Sequence, residues 1–261
     1  MSVLDLSRYD IPTFDAQCFK DNGVTGIILA SFREDEMRQC ALLARDAGLP
    51  IIGFYGFIYF GSGFGETRDT EAAIRLAQEF NVSRVWLDCE TDALANGFTD
   101  AIRPTPEQRV DAIRRCFEMV ESQLLDAGIY TGGWWWPSNT NNSTAFAGLP
   151  LWHSDYGAND GTKPPVTTVN YGGWTKVAVH QYTSRLNVCG RERDGNYVLE
   201  EEDMADPRVD KILAFLGDVD GWIANGNVPL IEAYAMEQQK LATHRHPAVG
   251  PTIFPEVARD G

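Results

Sequence analysis

Residues 86–90 read Trp86-Leu87-Asp88-Cys89-Glu90, two carboxylates two places apart at the end of a run from Val82 that otherwise looks buried. Its length and apolar content mark a strand. Along a strand, residues i and i+2 point to the same side, so Asp88 and Glu90 share a face and Cys89 turns away from them. Their Cα atoms then lie roughly 6.5–7 Å apart, close enough for each carboxyl to perturb the other and for one to stay protonated near neutrality. Acids are also common where a strand enters a polar loop, and spacing alone leaves both readings open.

The surrounding text shows what kind of strand this is. After the opening Val3-Leu4-Asp5, the run Val24-Thr25-Gly26-Ile27-Ile28-Leu29-Ala30 reads as a second strand and 50–57 as a third. Residues 34–48 place Met37, Cys40, Ala41 and Ala44 near one helical face, with acids at the start and Gly48 at the stop. A second helix is predicted over 71–80. Thr105-Pro106-Glu107-Gln108 has the form of a capping box, opening a third helix that should run to about Ala127. Gly128-Ile129-Tyr130-Thr131 follows as a short strand. Residues 149–156, 176–183 and 194–198 read as further strands, but their connections are too polar and glycine-rich for full helices.

About five βα units followed by strands without helical cover predict an α/β fold, an irregular (β/α) barrel of the TIM-like type over residues 1–200. If 82–90 is its fourth strand, Asp88 and Glu90 stand at the mouth where such barrels place active sites. Residues 201–261 read as a C-terminal helical extension, with amphipathic segments over 206–216 and 229–243 and a proline-bearing tail.

A net charge of −15 repels nucleic acid phosphates and anionic membrane surfaces, and no basic stripe offsets it. It does not disfavour a polysaccharide. The opening MSVLDLSRYD has no basic or apolar leader pattern, so synthesis in the cytoplasm without a signal peptide is expected. Cys18, Cys40, Cys89, Cys116 and Cys189 show no CxxC spacing, and their odd number predicts free, mostly buried thiols. His244 and His246 make no convincing zinc site, and no metal or cofactor is expected.

Two further acids bear on the site. Asp5 ends the first strand and Asp194 begins the last, and first and last strands are neighbours in a closed barrel. Both acids could therefore meet Asp88 and Glu90 at one mouth, where a raised pKa would make a general acid. Rings that stack on sugar faces fit beside them; Tyr55, Tyr130, Trp134 (with Trp135 and Trp136), Trp152 and Tyr182 are the candidates, with Gln181 as a hydrogen-bonding partner.

At these residues the chain resembles the glycoside hydrolase family 25 muramidases. The resemblance rests on Asp5-Leu6-Ser7 with Tyr9, Gly53-Phe54-Tyr55, Asp88-Cys89-Glu90, Tyr130-Thr131, Leu151-Trp152 with Tyr156, His180-Gln181-Tyr182-Thr183-Ser184 and Asp194-Gly195-Asn196, in the family's order over about 195 residues. It implies cleavage of the β-1,4 bond between N-acetylmuramic acid and N-acetylglucosamine in peptidoglycan glycan strands. Glu90 would be the proton donor, Asp88 would assist the substrate's N-acetyl group, and Asp5 and Asp194 would set Glu90's protonation. The family's Lys-Ala-Thr-Glu-Gly-like run after the second strand is replaced by Ala30-Ser31-Phe32-Arg33-Glu34, and Asp10 stands where a glutamine is expected. These departures bear on substrate class. The alternatives are a virion tail or other binding module on a hydrolase fold, docking a protein partner through its C-terminal helices, and a chitinase-type glycosidase. Against the latter, Ser83 and Trp86 stand where the chitinase Asp-x-x-Asp-x-Asp-x-Glu run has aspartates.

Overall fold

A computed structural model describes residues 2–92, 97 and 102–199, so the expected C-terminal helices and the His244/His246 pair lie outside the described residues. Eight strands close into one barrel in sequence order. They are β1 (Ser2–Leu6), β2 (Val24–Ala30), β3 (Ile51–Phe57) and β4 (Arg84–Asp88). β5 (Asp126–Thr131), β6 (Leu151–Ser154), β7 (Val179–Val188) and β8 (Arg191–Val198) complete the ring. Neighbours from β1 to β7 pair in parallel, and β8 runs antiparallel to both β7 and β1.

The parallel part is clad by α1 (Ala16–Asp21), α2 (Glu34–Asp46), α3 (Arg68–Phe80) and α4 (Pro106–Ser122). In α4 the capping box forms as expected: the Thr105 hydroxyl accepts from the Gln108 backbone, and the Gln108 side chain accepts from the Thr105 backbone. This helix stops short of Ala127, because Leu124 takes a left-handed turn with φ of 58° and β5 already starts at Asp126. The first helix, α1, has no predicted counterpart. Beyond β5 a single helical turn, Trp136–Asn139, replaces a helix. The irregular stretch 155–178 covers β6 and β7 with buried Tyr171 and Trp174, and the Tyr171 hydroxyl bonds His153 Nδ1 at 2.8 Å.

The expected free thiols need correction, since Cys18 and Cys189 form a disulfide with Cα atoms 6.2 Å apart. They are 171 residues apart in sequence, and only closure of the barrel brings α1 beside the β7–β8 turn. Cys40, Cys89 and Cys116 are free and buried.

Alternation sorts β4 cleanly. Val85, Leu87 and Cys89 are buried against the helical layer, whereas Arg84, Trp86 and Asp88 turn into the barrel. Trp86 fills the middle because glycines flank it: a Cβ at Gly128 would meet its ring at 2.4 Å, and one at Gly53 would meet its Nε1 at 2.8 Å. Trp86 and Trp152 meet edge to face with centroids 5.6 Å apart, forming the floor on which the mouth is built.

Candidate active site

A cavity of about 620 Å³, within the range of small-ligand sites, opens at the C-terminal ends of the parallel strands. All four predicted acids line it: Asp5 from β1, Asp88 and Glu90 from β4 and the residues just past it, and Asp194 from β8. Asp5 and Asp194 face each other directly in the antiparallel β1–β8 register. Glu90 lies past the last residue of β4, yet the pairing continues there. Cys89 N–H bonds the Tyr130 carbonyl at 2.9 Å and the Thr131 hydroxyl bonds the Cys89 carbonyl at 2.8 Å, so Glu90 keeps the inward phase. Two residues further on, Asp92 is clamped by the buried Arg109 of α4 through bonds of 2.6 and 2.8 Å.

Around Asp5 the polar groups form one connected network. Its Oδ1 accepts from Asn196 Nδ2 at 2.7 Å and from Gln181 Nε2 at 2.9 Å. Asn196 Oδ1 in turn accepts from Trp152 Nε1 at 2.8 Å, and Gln181 Oε1 accepts from the hydroxyls of Tyr130 and Tyr156, each at 2.7 Å. These fixed donors orient both amides and favour a charged Asp5.

The four acids are nonetheless reluctant to ionise, first because burial strips them of water and second because they face one another. Burial pushes Asp5 up to about 6, held from going further by its amide donors. Glu90 is pushed up to about 7 by burial and then by Asp5, and Asp194 to about 9 by burial, Asp5 and Asp10. Asp88 is raised well above the carboxylate range by burial and by Glu90. Its Oδ1 is buried and finds no hydrogen-bond partner among the described residues. At neutral pH Asp194 is thus protonated and donates to an ionised Asp5. Glu90 is poised to hold or release a proton.

Of the other predicted residues, Tyr55, Tyr130, Trp152 and Gln181 line the cavity. Tyr182 does not, because it follows Gln181 on β7 and alternation turns it outward; it stacks on Tyr197 with centroids 4.2 Å apart. Trp134 does not either. It is 61% exposed on the loop after β5, while Trp135 stacks on Phe60 and Trp136 is buried against Trp174. Sequence reasoning passed over Arg8, Phe32, Phe57, Tyr59 and Arg68, which also line the cavity. Phe57 was legible from strand phase, being two residues past Tyr55; the others sit at strand exits and a helix start that carry no period.

A closed barrel whose mouth gathers carboxyls with raised proton affinity above a floor of rings has the form of a glycoside-bond-cleaving site. Known proteins of similar sequence and fold agree with that class. The model of "Glycosyl hydrolases family 25" matches residues 4–191, and the chain belongs to this family. A relative is the probable GH family 25 lysozyme 3 of Dictyostelium discoideum, 27% identical over 158 residues that make up 59% of this chain and 31% of that one. The chain thus spans under a third of that relative's length. Among solved structures, the bacterial lysozyme from Streptomyces coelicolor superposes with a TM-score of 0.60 at 18% identity, over 77% of this chain and 93% of the other. The modular Cpl-1 endolysin, solved in complex with a peptidoglycan analogue, superposes with a TM-score of 0.52 at 21% identity, over 78% of this chain and 56% of that one.

Proposed function

We propose that this chain is a cell-wall muramidase that hydrolyses the β-1,4 bond between N-acetylmuramic acid and N-acetylglucosamine. The observation that carries the reading is Glu90, a carboxyl held at about 7 in a sugar-sized cavity rimmed by three other acids. A general acid with a pKa near the working pH combines a populated protonated form with good donating power. Glu90 donates its proton to the leaving glycosidic oxygen. Asp88, whose buried Oδ1 has no hydrogen-bond partner among the described residues, accepts from the N–H of the substrate's N-acetyl group and turns that group's carbonyl oxygen toward the anomeric carbon. The substrate's own amide oxygen then displaces the leaving group at the anomeric carbon, and water opens the ring so formed and returns a proton to Glu90, an alternative to the two-carboxylate scheme. Asp5 and Asp194 hold the network that keeps Glu90 protonated. Family membership and the peptidoglycan analogue bound by one structural neighbour support the choice of glycan.

In this reading the enzyme acts at the cell wall after synthesis in the cytoplasm, and the Cys18–Cys189 disulfide suits an oxidising, extracytoplasmic setting. The test is loss of turbidity and release of reducing ends from purified peptidoglycan, with mass analysis of the new ends. Glu90→Gln should lower the rate by about 10²–10⁴-fold. No reducing ends from any wall type would overturn the proposal, and a preference for chitin oligomers over muramic-acid glycans would replace it with a chitinase-type activity.

A further inference from the structure

The walls of the cavity are chemically unequal. On the β5–β7 side it is lined by Tyr130, Trp152, Tyr156, Gln181 and Ser184, none of which carries a charge at neutral pH. On the β1–β3 side stand the two cations of the lining, Arg8 from the loop after β1 and Arg68 from the first position of α3. Aromatic rings hold both guanidinium groups. Arg8 Cζ lies 4.8 Å from the Tyr9 ring centroid and 6.0 Å from that of Phe32, and its Nη2 bonds the Tyr9 hydroxyl at 2.7 Å. Arg68 Cζ lies 5.1 Å from the Tyr59 centroid, and its Nε is fixed by Asp69 at 3.0 Å. Both arginines line the cavity with Tyr59, and both charges lower the proton affinity of its phenol. At Arg8, stacking on rings limits the freedom of a long side chain without placing a carboxylate on its planar donor fork.

In a chain of net charge −15 many of the arginines among the described residues are answered by neighbouring acids. Arg33, Arg38, Arg75, Arg109, Arg115 and Arg193 all form ion pairs. Arg8 forms none among the described residues, although four carboxyls line the same cavity. A solvent-facing cation at the edge of an acidic cleft and braced by rings is suited to bind an anionic group.

We infer that Arg8, supported by Arg68, recognises a carboxylate pendant on the glycan and so sets the enzyme's preference for acidic over neutral sugars. The inference rests on the muramidase reading for the identity of the glycan but not for the charge of the ligand. Two sources share the chemistry: the lactyl carboxyl of a peptide-free muramic acid, and the carboxylates of the peptide attached to it. The bound chain then lies with its acidic substituents toward the β1–β3 wall and its uncharged face toward Trp152 and Tyr130.

Calorimetric binding and kcat/KM on three soluble glycans test this with the full chain. One glycan is peptide-free with free lactyl carboxyls, one carries stem peptides, and one is peptide-free with the lactyl carboxyls amidated. The wild-type protein should bind one of the two acidic forms more tightly than the amidated form, and which one identifies the source. Arg8→Ala should shrink that preference about tenfold, as loss of a charge-assisted hydrogen bond does. Arg8→Lys should restore part of it, and added salt should erode it in the wild type. Equal binding of all three glycans, or an Arg8→Ala variant that loses affinity for acidic and amidated forms alike, would overturn the inference. If no glycan is cleaved but the acidic preference and its loss in Arg8→Ala persist, the muramidase reading fails and this one stands. Cleavage without the preference overturns this inference and leaves the muramidase reading in place.

Discussion

Glu90 and Asp5 have to be in opposite states for the proposed chemistry, Glu90 protonated and Asp5 charged. Glu90, held at about 7, loses its proton as the pH rises through that value. Asp5, held at about 6, loses its charge as the pH falls through that one. The rate should therefore be bell-shaped, with its maximum between the two limbs, and kcat/KM on a soluble glycan against pH measures it. Asp194 lowers Asp5's proton affinity by donating a hydrogen bond to it, so Asp194→Ala should move the acid limb upward and leave the basic limb nearly in place. A profile flat from pH 5 to 8 would contradict this assignment. All four acids were legible in the sequence because strand phase and barrel closure each fix a direction. The same phase forbids Gln181 and Tyr182 from sharing a site, and the structure turns Tyr182 out onto Tyr197. Arg8 and Arg68 escaped notice because loops and helix starts carry no repeating period.

Between β3, β4 and β5 the floor of the site depends on what is missing as much as on what is there. Trp86 reaches the barrel axis through gaps left by Gly53 and Gly128, and it abuts Trp152, which lines the cavity. Gly128→Ala would put a methyl 2.4 Å from the Trp86 ring, with β5 pinned by its pairing on both sides. Overpacking of this kind should cost about 1–3 kcal/mol, read from the urea midpoint, and displacement of Trp86 should perturb its fluorescence. An unchanged midpoint would show that β5 yields more easily than its register suggests. The parallel part of the barrel was readable because buried strands appear as apolar runs and helices carry caps, as at Thr105. Beyond β5 that signal fades. β7 and β8 run on past the barrel as a hairpin whose outer halves, with Arg185, Asn187, Glu192 and Arg193, look like loop. Their turn is Cys189-Gly190, both at positive φ, the geometry of a two-residue hairpin turn.

Closure of the barrel rests on a short seam, the three residue pairs Val3–Asn196, Leu4–Gly195 and Asp5–Asp194 between β1 and β8. That seam carries two of the four acids, so whatever holds it also holds the site. Two devices brace it from outside. Arg193, buried on β8, pairs with Asp10 and bonds the Thr13 carbonyl and hydroxyl at 3.0 and 2.9 Å. The Cys18–Cys189 disulfide then ties α1 to the tip of the hairpin. No spacing rule reveals a bond between cysteines 171 residues apart in a set of five, since the pairing is a consequence of closure and not of local sequence. A loop of that length loses much chain entropy in the unfolded state when bridged, so Cys18→Ser/Cys189→Ser should lower stability by about 2–4 kcal/mol. Reductant should lower the urea midpoint of the wild type to that of the double variant and leave the variant itself unmoved. Because the same seam aligns Asp5 with Asp194, the variant should also lose activity at a lower urea concentration than the wild type. A reductant-insensitive midpoint would mean that Arg193 and the strand pairs alone close the barrel.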